Sequence, residues 1–367
     1  SKQHDLWNRW YALLAAVFYM FNLGTIQMFY TPLELFVIHF ALLPWLILVL
    51  TNVLKEPSKL NIFWFFLVNF LAISQAHVPS IFMVYSVMVL LFLINFIWQS
   101  RTQLSLKQRL SRIGLVLSLL FALNSFWGIP YIYSTWSNAK TITGSKINQL
   151  SNHEVFLRNK AYGDFNSVAL LRGFSLNYYD YVSNGKNDLM MRPWVDFLKL
   201  PLITILASMF FIIALSGVGL VFYKKNKRLY PFAAIFVLFF LLLGIDIPVL
   251  SLFSWLLRTF IPYYSEVFRF TFTKFIIVYA FSYSVVLAYG LSCLVIFLHK
   301  NLKRSQFMYG VYIFLLCSIL VTAYPVWQGD FIYRRIRVVI PQAYFQLFNF
   351  FNHQNPSERI AILPSPT

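Results

Sequence analysis

The chain has few charged residues, two cysteines and none of the common nucleotide-binding or hydrolase motifs. Charged residues make up 11% of its 367 positions, which argues against a soluble globular domain. Cys293 and Cys317 both fall in apolar runs, so the sequence predicts neither a disulfide framework nor a cysteine metal site. It also has no P-loop, paired nucleotide-binding glycines, His-rich cluster or Gly-x-Ser-x-Gly turn. ATP-driven transport and serine hydrolysis therefore lack support from the residues.

Apolar sequence fills the chain instead. Hydrophobic residues make up 59% of it, and the mean hydropathy is +0.66. The 40 Phe and 22 Tyr are expected on lipid-facing helices and at the membrane interfaces. The sequence predicts an all-α polytopic membrane protein with about nine transmembrane helices. The predicted spans are residues 10–24, 33–54, 60–76, 79–98, 113–133, 198–223, 229–248, 272–298 and 306–324.

Basic residues cluster in alternate loops between these spans. Half of the 30 Lys and Arg lie there or at the amino terminus, which makes the net charge of +18 a topology signal. The clusters are short and contain no aromatic or glycine-rich motif of the kind that binds nucleic acid, so no nucleic-acid partner is expected. The positive-inside rule predicts a plasma-membrane protein whose amino terminus is cytoplasmic and whose residues from 329 onward are exterior.

This topology divides the chain into four parts. They are an amino-terminal bundle of about five spans at residues 1–135, an exterior loop at 136–197, a bundle of about four spans at 198–325 and an exterior segment at 326–367. The chain begins at Ser1 and shows no signal-peptide pattern, so we expect a segment of a longer polypeptide. In the last part, Tyr344, Leu347, Phe348 and Phe351 predict an amphipathic helix, and residues 359–363 resemble a strand. They predict the start of an exterior α+β domain.

The loop at residues 136–197 is too long for a simple turn. Its apolar residues could hold it against the membrane end of the bundle as a partly helical cap over an outward-facing cavity. The alternative is a solvated connector between helices, and both interpretations stay open. Arg172, within Leu170-Leu-Arg-Gly173, is a candidate substrate-binding residue. The apolar residues expected to face the bundle are Phe165, Val168, Leu170, Leu171 and Trp194.

The main candidate site is the stretch that leads into the eighth span. Pro248 is expected to end the preceding helix, and residues 250–260 predict a short interfacial helix. If the next span starts near Pro262, Glu266 and Arg269 share a helix face, and Lys274 lies deeper. Arg269 and Lys274 would bind a phosphate or pyrophosphate of a lipid-linked substrate, with Glu266 orienting the guanidinium. The alternative is that all three are interfacial anchors.

Three further residues on the predicted exterior side are weaker candidates. His77 lies at a tight outer turn and could bind substrate, although an ordinary interfacial histidine is the plainer interpretation. Glu34 opens a span and Asp246 closes one, and either is a possible catalytic carboxylate. For Glu34, a favourable charge at a helix N-terminus is the plainer interpretation.

Several short motifs are spread over most of the chain. They are Phe40-Ala-Leu-Leu-Pro-Trp-Leu46, Asn124-Ser-Phe-Trp127, Leu170-Leu-Arg-Gly173, Val267-Phe-Arg-Phe-Thr-Phe-Thr-Lys-Phe275 and Ile340-Pro-Gln-Ala-Tyr-Phe345. In this order they resemble the multipass GT-C glycosyltransferases, most closely the arabinofuranosyltransferase-like branch and the YfhO-like membrane proteins. Phe270 and Thr271 stand where such proteins carry Glu-Pro between the matching arginine and lysine.

The resemblance implies transfer of a sugar from a polyprenyl-phosphate donor to an exterior glycan, lipid or protein acceptor. A divalent metal is a possible cofactor, although the residues predict no metal ligands. In such enzymes a carboxylate of the first exterior loop is the base, which here would lie upstream of Ser1. The competing hypotheses are a lipid or polymer transporter, including a flippase, and a non-catalytic assembly subunit.

Overall fold

The structure is a computed structural model that describes residues 2–30, 34–72, 78–144, 153–183, 186–302, 305–336, 340–355 and 357. Within these residues it is mostly helical, with one small sheet. The helices are α1 Lys2–Phe21, α2 Leu23–Tyr30, α3 Glu34–Lys55, α4 Lys59–Leu71, α5 Pro79–Gln99, α6 Leu106–Gly144, α7 His153–Lys160, α8 Phe165–Ala169, α9 Arg192–Phe197, α10 Pro201–Tyr223, α11 Tyr230–Leu243, α12 Pro248–Phe260, α13 Tyr264–Val267, α14 Thr271–Leu302, α15 Ser305–Thr322, α16 Tyr324–Trp327 and α17 Gln342–Asn352. The strands are β1 Tyr179–Ser183 and β2 Lys186–Leu189.

The long helices fit a polytopic membrane protein. Among the described residues, five helices are long and apolar enough to cross a bilayer, and the number rises to seven if two bent pairs each form one span. Two shorter apolar helices, Lys59–Leu71 and Tyr309–Thr322, coincide with the remaining predicted spans. The predicted helical character is confirmed, and the total of nine crossings stays a prediction.

One bent pair is α1 and α2, which meet at 41°. Asn22 lies between them, and its amide donates to the Phe18 and Tyr19 carbonyl oxygens at 2.9 Å each. Its side-chain oxygen accepts the Thr25 N–H at 3.0 Å, as an N-cap residue does. One asparagine thus ends the first helix and starts the second. The sequence pattern alone had predicted one continuous span.

Helix α14 lies at the centre of the bundle and packs against α1, α2, α5, α10, α11 and α15. Its Tyr279 and Tyr283 are fully buried. Gly217 of α10 and Gly290 of α14 let the two backbones touch, since a Cβ built on Gly217 would lie 2.1 Å from the Val286 carbonyl oxygen. Small residues at such crossings are the usual means of close helix contact in membranes.

The basic loops gather at one end of the bundle, which we call the basic end. Arg112 Nη1 donates to the Leu54 carbonyl oxygen at 2.8 Å and to that of Lys55. The Gln99 amide donates to the Lys227 carbonyl oxygen. Arg112 therefore satisfies carbonyl groups that the end of α3 leaves without a helical partner.

The long loop folds into a cap at the opposite end, comprising α7, α8, the hairpin of β1 and β2, and α9. Val168, Leu170, Leu171 and Trp194 are buried, as expected for a cap packed on the bundle. Phe165 departs from the prediction, because its side chain is 55% exposed although it contacts the rings of Phe211 and Phe240. The hairpin is a further departure from an all-α fold. Its Asp180 carboxylate accepts the Tyr333 hydroxyl proton at 2.5 Å.

Asp164 caps helix α8. Its carboxylate accepts the Asn166 and Ser167 backbone N–H groups at 2.9 and 3.0 Å. Partial burial acts to raise the pKa of this carboxyl, but the hydrogen bonds from Ser167 and Asn166 outweigh it and lower the pKa below its ordinary 3.8.

We expect Asp164→Ala to lower the free energy of unfolding by about 1 kcal/mol at neutral pH, because it removes an N-cap. Since the folded-state pKa is below the unfolded one, this contribution is present above the ordinary pKa of 3.8 and is lost as pH falls through the lower folded value. Unfolding of both proteins in detergent, measured from pH 7 downward, checks this. A difference that grows as the pH falls below 4 would contradict it.

Of the predictions about the second half, one needs correction, one stays a prediction and one lies outside the described residues. Pro248 does not end a helix, because α11 already ends at Leu243 and Pro248 begins α12, where a missing N–H is tolerated. The bend between α11 and α12 is 85°, and the interfacial position of α12 stays a prediction. The tail helix forms as α17, whereas the strand-like residues 359–363 lie outside the described part. Of the cysteines, Cys293 is buried and Cys317 is exposed.

Candidate functional site

A cavity of about 390 Å³ lies beneath the cap. Its walls come from four parts of the chain that the fold brings together: α2, the first turn of α3, the start of α14 and the cap. Among the described residues that line it, two are cationic and none is acidic. The lining residues are Gln27, Met28, Tyr30, Phe36, Phe174, Ser175, Tyr178, Met190, Met191, Arg269, Phe270, Thr273 and Lys274. The cavity thus has a positive wall and a largely aromatic and methionine-rich remainder.

Lys274 is in the first turn of α14, and its ammonium lies 4.9 Å from the centre of the Phe36 ring. It makes no ion pair or hydrogen bond with any residue that the structure describes. A cation on the face of an aromatic ring is stabilised by about 0.5–2 kcal/mol, which offsets only part of the cost of its desolvation. An anionic ligand in the cavity would add a favourable interaction with this ammonium.

Arg269 lines the same cavity, near enough to Lys274 for the two positive charges to repel each other. The backbone around it is fixed from the cap by Asn159. The Asn159 amide donates to the Arg269 carbonyl oxygen, and its side-chain oxygen accepts the Thr271 hydroxyl at 3.3 Å. Asn159 is buried, so little water competes for these hydrogen bonds.

Glu266 does not share a helix with Arg269, which corrects the prediction. It belongs to α13, and the chain leaves helical geometry at Phe268, three residues before α14 begins at Thr271. Tyr263, which precedes α13, has a left-handed φ of 60°, so the helix that contains Glu266 begins only at Tyr264. Glu266 is not among the residues that line the cavity. Burial raises the pKa of the neighbouring Tyr264 to about 12, so this phenol stays protonated.

The roof of the cavity is attached to α2 by Gln27. Its amide nitrogen donates to the Leu171 carbonyl oxygen at 2.8 Å, and its oxygen accepts the Gly173 N–H at 3.0 Å. Leu171 has a left-handed φ of 59°, a strained conformation for a residue with a side chain. A Cβ at Gly173 would lie 2.4 Å from the Phe272 ring, so this position needs a glycine.

Arg172, predicted to bind substrate, does not line this cavity. It faces two smaller voids of about 10 and 40 Å³ beneath the cap, and its Nη2 lies 3.4 Å from the Thr204 hydroxyl oxygen. Its Nε is buried without a hydrogen-bond partner in the described residues. Burial raises the pKa of the nearby Tyr162 to about 12, although the Arg172 charge opposes the shift. Arg172 therefore belongs to a separate polar site between the cap and α10.

Of the other predicted residues, Asp246 lies away from the cavity, and the side chains of the remaining two fall outside the described part. The Asp246 carboxylate lies 3.4 Å from the Lys160 ammonium. Both side chains are more than two-fifths exposed, so this ion pair contributes little to the stability of the fold. The Asp246 backbone N–H donates to the Gly163 carbonyl oxygen, and this hydrogen bond fixes the cap to the chain after α11. Glu34 is the first residue of α3, and its side chain lies outside the described part. His77 lies wholly outside it.

No group of three His, Cys, Asp or Glu side chains that could hold a metal ion occurs in the described part of the chain. Sequence reasoning found both cations but missed Gln27 and Asn159, whose partners lie more than a hundred residues away along the chain. Comparison with protein-family models, curated proteins and solved structures finds no match.

Proposed function

We propose that the protein is a GT-C-type membrane glycosyltransferase that moves a sugar from a polyprenyl-phosphate donor to an exterior glycan, lipid or protein acceptor. In this proposal all nine apolar segments cross the plasma membrane, the basic end is cytoplasmic and the cap is exterior. The carboxylate base and the ligands of any divalent metal would be residues outside the described part of the chain.

The observation that supports this proposal is the positive wall of the capped cavity. Arg269 and Lys274 meet there without an acidic residue among the described lining, at the end of a bundle of apolar helices. Arginine and lysine are suited to phosphate, because a guanidinium donates parallel hydrogen bonds and an ammonium adds a compact charge.

A transfer assay with the protein in nanodiscs tests the proposal. We expect Arg269→Ala and Lys274→Ala each to lower kcat/KM by about 10- to 100-fold, the effect of losing one charge-assisted hydrogen bond. Lys199→Ala is the matched control, because this lysine lies on the cap surface and pairs with Asp196 at 2.7 Å. Normal turnover in both cavity variants would exclude the phosphate-binding role.

A lipid transporter or flippase is the second candidate, favoured by the break at Asn22. Discontinuous helices at a binding site are a feature of transporters, and the bent pair α1 and α2 leads directly to the cavity through Gln27. Movement of fluorescent lipid across the nanodisc or vesicle bilayer without sugar transfer would support it. A non-catalytic assembly subunit would show neither activity.

A further inference from the structure

The polar side chains that line the cavity fall into two groups, those already bonded to the protein and those that are not. Gln27 uses its amide to bind Leu23, Leu171 and Gly173. The Tyr30 hydroxyl donates to the Met190 carbonyl oxygen at 2.9 Å, and the Thr273 hydroxyl donates to that of Phe270 at 3.1 Å. These three side chains hold the walls in place and have little capacity left for a ligand.

Ser175 and Tyr178 form the second group. Both line the cavity from the cap, and neither hydroxyl makes a hydrogen bond with a residue that the structure describes. Ser175 is half-buried, and Tyr178 is 38% exposed, so a ligand in the cavity can reach them. The Tyr178 ring also packs against Phe174, with 5.6 Å between the ring centres, which limits its movement.

The backbone that carries these hydroxyls is held firmly. Ser175 lies two residues after Gly173, whose N–H donates to the Gln27 side-chain oxygen. The Tyr178 carbonyl oxygen accepts the Met190 N–H at 2.8 Å. Arg269 and Lys274 come from α14 and the turn before it, whereas the two hydroxyls come from the cap. The cavity therefore presents cations from the bundle and neutral hydroxyl groups from its roof.

We infer that Ser175 and Tyr178 bind the hydroxyl groups of the ligand's sugar, while Arg269 and Lys274 bind its phosphate. Serine and tyrosine hydroxyls can both donate and accept, so they match a polyol, whose hydroxyls do the same. The inference rests on the proposed function and adds the residues that select a sugar-bearing lipid over a bare lipid phosphate. A site with placed hydroxyl partners disfavours a ligand that leaves them unpaired.

Binding of two probes to the protein in nanodiscs tests the inference. The probes are farnesyl phosphate and farnesyl phosphate carrying a pentose or a hexose. We expect Tyr178→Phe and Ser175→Ala each to weaken binding of the better sugar-bearing probe by about 3- to 10-fold, the effect of one neutral hydrogen bond, and to leave farnesyl phosphate binding unchanged. Tyr179→Phe is the matched control, because this neighbouring tyrosine is 65% exposed and does not line the cavity.

The outcomes separate this inference from the proposed function. If the wild type binds neither probe, the proposed function fails and the inference fails with it. If the wild type binds the sugar-bearing probe and both variants bind it equally well, the inference alone is overturned. Equal weakening of both probes would also overturn it, since that indicates a general loss of cavity shape. Loss confined to the sugar-bearing probe supports it.

Discussion

Replacing Gly217 with alanine is expected to lower the free energy of unfolding by about 3 kcal/mol, an effect of overpacking at a tight helix contact. The added Cβ would lie 2.1 Å from the Val286 carbonyl oxygen and 3.1 Å from the Gly290 nitrogen. Both neighbours are backbone atoms of the central helix α14, so a side-chain rotation cannot relieve the contact. The helices α10 and α14 must instead move apart.

Gly219 provides the matched control on the same helix. A Cβ at this position meets no atom within 4 Å. Gly219→Ala should therefore stabilise the protein by about 0.5 kcal/mol, because alanine lowers the backbone entropy of the unfolded chain. Unfolding in mixed detergent micelles, followed by tryptophan fluorescence, measures both variants. Equal effects at positions 217 and 219 would contradict the close α10 and α14 contact.

The positions of the long apolar helices could be predicted from sequence because they depend on local composition. Apolar runs and alternate basic loops are each properties of a short segment, and bilayer thickness sets the expected helix length. The helix break at Asn22 could not be found in this way. It depends on one amide bonded to Phe18, Tyr19 and Thr25, and hydropathy does not distinguish such a residue from an ordinary asparagine in a span.

The candidate site was predictable in part for a similar reason. Arg269 and Lys274 are conspicuous in sequence because charges beside an apolar run are costly. Their separation from Glu266 was not predictable, since it follows from the end of α13 at Phe268, before α14 begins at Thr271. Arg172 looked equivalent to Arg269 by residue type, but the cap turns it toward a different set of voids.

The attachment of the cap by Gln27 leads to a second large expected effect. Gln27→Leu keeps much of the side-chain volume but leaves the buried Leu171 carbonyl and Gly173 N–H without their partner. Each unsatisfied buried group costs about 1–3 kcal/mol, so we expect a loss of about 4 kcal/mol in the free energy of unfolding. The left-handed backbone at Leu171 would also lose the hydrogen bond that holds it.

Hydrogen–deuterium exchange in nanodiscs locates this effect. Gln27→Leu should speed exchange in residues 165–178 far more than in the spanning part of α10, because the roof loses its attachment while the helix contacts remain. Gln328→Leu is the control, since Gln328 is exposed and donates to the Tyr324 hydroxyl at 3.0 Å, so its removal should change stability by less than about 0.5 kcal/mol. Unchanged exchange in the cap of the Gln27 variant would mean that apolar burial of Val168, Leu171 and Trp194 suffices to hold the roof. In that case the shape of the cavity would depend on packing rather than on this amide.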